Sequence, residues 1–250
     1  MVKSLFVLAL PHSLSTTTYH VARAALSLWE PSWTIDGEIL NLDRMAAYRG
    51  PRADECAKYT TSDAEPDLFH RLTDFLDQVT VPEGAAYKDV VQPFAVSSWS
   101  GITTFAVLRI DRDPAEVAYS LLSLRRYYPQ AAALGSNVQS SWPRRLPRLG
   151  RHEGGSLSLA VVEGLVRADM ALDNAPAVTV SYDDLIESEA TLAQALGTLY
   201  PEQGPLDVSY IDPLFCAKRR FVMRRRDSPH LHRLRDMVAA CRERLAGGVV

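Results

Sequence analysis

The feature that most constrains this chain is an apolar run with a helical pattern directly behind it. Residues 5–10 read "LFVLAL" without a polar side chain. An uninterrupted run of that length suits a strand covered on both faces, as in a parallel sheet. The strand is expected over roughly Lys3 to Leu10. "PHSLSTTT" follows, and from about Thr17 the residues Val21, Ala24, Ala25 and Leu28 recur at helical spacing, with Arg23 on the other side.

The same alternation runs on through the chain. "EPDLFHRLTDFLDQV" predicts a helix with Leu68, Phe69, Leu72, Phe75, Leu76 and Val79 on one face. "AAYKDVV" and "TTFAVLRI" read as strands, and "RDPAEVAYSLLSLRRYY" opens a helix that tolerates Pro114 in its first turn. "TIDGEILNL" (34–42) is a short strand or a turn into one. Further helices are expected over Leu157 to Leu172, over "SEATLAQALGTLY" with Ser188 as its cap, and from Pro229 to the Gly247-Gly248 pair. "AVTVSY" is a strand, and residues 135–155, rich in Pro, Arg and Ser, form a loop. Strands alternating with helices imply one α/β domain over 1–250, with a central, mainly parallel sheet flanked by helices.

Composition removes several function classes. With 250 residues, 47% hydrophobic and 23% charged, the chain can bury a sizeable core. A net charge of -3 disfavours wholesale nucleic-acid binding, although Arg144 to Arg151 and Lys218 to Arg226 concentrate positive charge locally. Cys56, Cys216 and Cys241 form no CxxC pair, so neither a disulfide framework nor a zinc site is expected. No apolar run approaches the ~20 residues of a membrane span, and the first is too short for a signal-peptide core. A reducing, cytoplasmic setting is the default.

The chemistry concentrates at two strand-to-helix turns. A helix that starts straight after a strand leaves its first N–H groups without carbonyl partners, and its dipole favours an anion there. Ser13, Ser15, Thr16, Thr17 and Thr18 can add hydroxyl donors, or they can simply cap the helix. The loop lacks the Lys and the glycines of a nucleoside-triphosphate loop. In "RIDRDPAEVAYS", Arg112 follows an apolar strand and Ser120 lies eight residues later on the next helix, so a forked cation and a hydroxyl can converge on a second anion. The plain alternative is a surface Arg112 paired with Asp113 or Glu116.

"PHSLST" (11–16) together with "RDPAEVAYS" (112–120) resembles the PAPS-dependent sulfotransferase family, in a divergent, bacterial-type form. Members carry P-[KR]-S-G-[ST]-T after the first strand, for the 5′-phosphosulfate, and R-x-P-x-x-V-x-x-S for the 3′-phosphate. "VSYDDLIESEATLAQALGTLY" is similar to a further family segment whose Tyr lies near the adenine, a role that falls to Tyr182. In "YIDPLFCAKRRF", Lys218, Arg219 and Arg220 would close over the 3′-phosphate. The resemblance implies a P-loop-like three-layer fold, PAPS as donor, adenosine 3′,5′-bisphosphate as product, a small hydroxylated acceptor and no metal. His12, Ser13, Leu14, Ser15, Thr16, Thr17, Arg112 and Ser120 would hold the donor. Oligomeric state is not encoded in any of these patterns, and a homodimer stays open.

Two loop positions depart from the family pattern. His12 stands where a Lys or Arg is usual. A neutral imidazole donates a hydrogen bond without full charge, whereas one protonated beside a phosphosulfate supplies both. Leu14 stands where Gly is usual, so the loop is expected to avoid positive φ. The family's base is a His beyond the third strand or a Glu beyond the second. This chain has no His after "YKDVV", which makes Glu38 the first choice, with Asp36 and Asp43 as fallbacks. Lys88 matches a family lysine near the transferring group, or it pairs with Asp89. His20 is expected to be a packed core residue. A kinase with a degenerate phosphate loop, or a non-catalytic nucleotide-binding module of the same fold, stands as the alternative.

Overall fold

The computed structural model describes residues 2–34, 36–39, 68–90, 96–127, 157–208 and 228–247. Four strands, β1 (Leu5–Ala9), β2 (Ala86–Asp89), β3 (Ala106–Asp111) and β4 (Val178–Ser181), form an all-parallel open sheet in the order β2-β1-β3-β4. All five residues of β1 are buried, as the unbroken apolar run requires. Its side chains alternate between two separate cores. Phe6 and Leu8 point into one, and Leu5, Val7 and Ala9 into the other.

Helices cover both faces. On the Leu5 face lie α1 (Ser15–Ala25), α5 (Tyr182–Glu187) and α6 (Glu189–Leu199), contributing Tyr19, Ala22, Leu185, Leu192 and Leu196. On the Phe6 face lie α2 (Leu68–Val79), α3 (Pro114–Tyr127), α4 (Leu157–Leu172) and α7 (Pro229–Gly247), contributing Phe75, Val117, Leu165 and Leu234. The result is a three-layer helix–sheet–helix arrangement. Phe6 anchors its side through rings of Tyr87 and Phe105, each with its centroid 5.6 Å away. Each such pair adds about 0.5–1.5 kcal/mol beyond simple burial.

Local chemistry sets the helix starts. Asp113 Oδ1 accepts from the Ala115 N–H at 2.8 Å, and Pro114 opens α3 where a missing N–H costs nothing. Ser188 caps α6 by accepting from the Ala190 N–H at 3.2 Å, as its sequence predicts. Helix α1 begins at Ser15, two residues earlier than the apolar spacing suggests. The segment "TIDGEILNL" contributes no strand among the described residues. Residues 36–39 form a turn that bridges Glu38 to Lys88 on the outer edge of β2.

Ionic contacts fasten α4 and α7 to the sheet. Arg109 of β3 donates to Asp173 at 2.7 Å and to Asp169 at 3.2 Å, and Arg242 of α7 also reaches Asp169. Glu163 of α4 accepts from Arg167 at 2.9 Å and from Arg244 of α7 at 2.8 Å. Burial pushes the Asp169 carboxyl up to about 6, with Arg242 and Arg109 offsetting only part of that rise. Among the described residues no helix is long and apolar enough to cross a membrane.

Candidate functional site

β1 and β3 are neighbours in the sheet, yet α1 and α3, the helices that follow them, pack on opposite faces. Chains that part in this way open a crevice at the carboxyl ends of the strands, the usual ligand position in open α/β sheets. The loop after β1 (residues 10–14) and Arg112 after β3 both lie at that edge.

The loop has an unusual backbone. His12 has φ 61° and Leu14 φ 62°, both left-handed although neither is Gly. The expectation that Leu14 forbids positive φ is therefore wrong. The left-handed conformation costs a residue with a Cβ about 1–2 kcal/mol, and surrounding contacts hold it in place. Leu14 packs its half-buried side chain on the Leu5-face core, and its carbonyl accepts from the Thr18 N–H at 2.9 Å. The His12 carbonyl accepts from an Arg112 Nη, and His12 Nδ1 lies 2.9 Å from Ser120 Oγ, one donating to the other according to tautomer. No Ser or Thr caps α1. Leu14 is the residue at the cap position and makes no side-chain hydrogen bond there. The N–H groups of Ser15, Thr16 and Thr17 are thus those a helix cannot pair internally.

Arg112 is not a surface residue, being only 6% exposed. Its guanidinium carbon stands 3.9 Å from the centroid of the Tyr182 ring, and Nε is 3.7 Å from Glu116 Oε2. At that distance the pairing with Glu116 is ionic, and Arg112 Nε has no hydrogen-bond partner among the described residues. Glu116 also accepts from Arg235 of α7 at 3.3 Å. Burial raises the Glu116 carboxyl above the usual carboxylate range. Arg112 opposes that rise, Asp183 and Asp113 add to it, and Arg235 opposes it again.

A second cluster flanks the start of α1. Lys88 of β2, fully buried, donates from Nζ to Thr16 Oγ1 at 2.7 Å and pairs with Glu38 Oε1 at 3.1 Å. Its backbone N–H donates to the Gly37 carbonyl at 2.8 Å, which fixes the turn beside the strand. Three residues nominated separately from the sequence, Thr16, Glu38 and Lys88, thus meet. His20 is not packed in the core. It is half-exposed, and its Nε2 lies 3.0 Å from Asp36 Oδ1.

Ser13 and Ser15 are buried, Thr16 exposed and Thr17 half-buried in the same turn. Asp43, Lys218, Arg219 and Arg220 lie outside the described residues. Sequence reasoning missed the Arg112–Tyr182 stack, the Glu116–Arg235 contact and the His20–Asp36 pair. None of the three left a trace in local pattern, because in each the partner arrives from a separate segment of the chain. No protein-family model matches the chain, and no curated protein matches it.

Proposed function

We propose that the chain is a cytoplasmic sulfotransferase of P-loop-like architecture that moves the sulfuryl group of PAPS to a hydroxyl of a small acceptor. The carrying observation is the junction at His12. The post-β1 loop and the Arg112–Ser120 segment are 108 residues apart at the His12–Ser120 contact, yet they touch at 2.9 Å. The donor set suits a bisphosphorylated anion. It includes an uncapped helix start, a buried guanidinium whose Nε lacks a hydrogen-bond partner, and the Thr18 hydroxyl, fully buried and likewise unpartnered among the described residues. Tyr182 would hold the Arg112 fork flat from below, which favours planar, two-point recognition of a phosphate.

PAPS supplies an activated sulfuryl group, and the chain's residues supply position and charge. The acceptor oxygen forms the new S–O bond, the S–O bond to the 5′-phosphate breaks, and the hydroxyl proton passes to the Glu38 carboxylate. His12 and the N–H groups of Ser15 to Thr17 stabilise the phosphate oxygen as charge gathers on it. Lys88, braced by Thr16 and Glu38, sets a cation beside the loop in place of the missing loop lysine.

Calorimetry with adenosine 3′,5′-bisphosphate and with ATP tests the reading. Binding of the bisphosphate without ATP is expected, and Arg112→Ala should weaken it more than about tenfold, as loss of a charge-assisted contact implies. The exposed Arg233→Ala serves as control. Preference for ATP would support a kinase, binding without sulfate transfer to a hydroxyl panel would leave a binding module, and no binding at all defeats both enzyme readings. Unchanged turnover in Glu38→Gln removes Glu38 as the base.

A further inference from the structure

The turn that carries Glu38 is fastened at more points than a surface turn needs. Its left-handed residues Asp36 (φ 53°) and Gly37 (φ 71°) bend the chain back toward α1. The Gly37 N–H donates to Glu30 Oε1 at 3.3 Å and the Ile39 N–H to the Lys88 carbonyl at 3.3 Å. Gly37 lies flat against the Tyr19 ring, where a Cβ would come within 2.3 Å of Cε2. One face of α1 then makes two polar contacts to this turn. Thr16 reaches it through Lys88 and Glu38, and His20, one turn further along, reaches it through Asp36.

We infer that His20 is a positioning residue for Glu38. Its contact with Asp36 latches residues 36–39 to α1 and so sets the Glu38 carboxylate against Lys88. Protonated, the imidazole makes an ion pair with Asp36. Neutral, its Nε2–H donates a single hydrogen bond to the Asp36 carboxylate across the same 3.0 Å. Among the described residues, the other charged or titratable groups near it are Tyr19, in ring contact at 5.1 Å, with Arg23 and Glu30 beside Tyr19, and the Lys88–Glu38 pair. Burial pushes the Tyr19 hydroxyl well above its ordinary value, so it stays neutral beside His20. The catalytic part of this inference rests on the sulfotransferase reading, whereas the latch itself does not.

Amide hydrogen exchange measures the latch directly, through the Lys88 N–H on the Gly37 carbonyl and the Ile39 N–H on the Lys88 carbonyl. His20→Ala should lower protection at both about three- to fivefold, the range of a half-exposed ion pair. Ala86, whose N–H bonds to the Trp29 carbonyl at 3.0 Å, should keep its protection. The near-isosteric Asp36→Asn should lower protection at the same two amides, with Ala86 again unchanged. Equal protection in His20→Ala and wild type overturns the latch. In sulfate transfer, both variants should lower kcat by a similar factor and leave the donor KM unchanged. Lost protection with unchanged kcat overturns the link to Glu38. A wild type that neither binds the bisphosphate nor transfers sulfate defeats the functional reading, and the exchange data still decide the latch.

Discussion

Removing either member of the Lys88–Glu38 pair should expose an asymmetry set by burial. The Lys88 side chain is 1% exposed and that of Glu38 18%. In Glu38→Gln the ammonium keeps Thr16 and an amide oxygen but loses its counter-charge in a place closed to water. Breaking a buried pair costs about 3–5 kcal/mol, and the retained acceptors put this variant at the lower end. In Lys88→Met the group left behind is a carboxylate that can still turn toward water, so the loss falls to about 1–2 kcal/mol. The double variant strands no buried charge, and Met fills most of the lysine volume, so it should lose no more than about 1 kcal/mol. The double variant should therefore be roughly 3 kcal/mol more stable than the sum of the single losses implies. Urea unfolding at pH 7 measures all four proteins, with an unchanged m-value required for the comparison. Equal losses in the two single variants, or additivity within about 0.5 kcal/mol, would refute the argument that the cost lies in stranding the more deeply buried ion.

Three further substitutions test other contacts in the fold. Burial pushes the Asp169 carboxyl from its ordinary 3.8 up to about 6, so the folded state binds the extra proton between those values. Stability from this group is therefore present at low pH and is lost as pH rises from about 4 to 6, by at most about 3 kcal/mol. The difference between wild-type and Asp169→Asn urea midpoints across that range should show this slope, and a slope of opposite sign would contradict it. Gly37→Ala sets a Cβ against the buried Tyr19 ring at positive φ and should cost more than about 2 kcal/mol. Gly197→Ala, in α6 where the added carbon meets nothing within 4 Å among the described residues outside its own helix backbone, should gain up to about 1 kcal/mol, and both are read from thermal midpoints.

The layers were legible because β1 and most of β3 are apolar and the helices are periodic. Leu5 to Ala9 and Ala106 to Ile110 are buried without a break, and an unbroken run admits few arrangements other than a sheet covered on both faces. The predicted span Leu157 to Leu172 coincides with α4. Legibility failed where contacts outweighed local preference. Nothing in "PHSLST" announces that Leu14 turns left-handed, because the cause lies in the Thr18 N–H and in the core against which Leu14 packs. Nor does the string "TTTYHVAR" show His20 facing water, since its partner Asp36 arrives through a turn of Asp and Gly with positive φ. The residues of the candidate site could be nominated one at a time. Their meeting at His12 and at Lys88 depends on strand order, which local pattern does not encode.

If the sulfotransferase reading holds, the left-handed His12 and Leu14 also bear on how the loop would meet the donor. A glycine in such a turn visits many conformations in the unbound protein, and an arriving anion must freeze them. Here side chains and the Arg112 contact hold the turn in its bent form before any ligand arrives. The strain is taken up during folding, so less disorder is left to be lost on association. Such a rigid cradle should bind with a smaller entropic penalty than a glycine loop of the same shape and tolerate less variation in the anion it accepts.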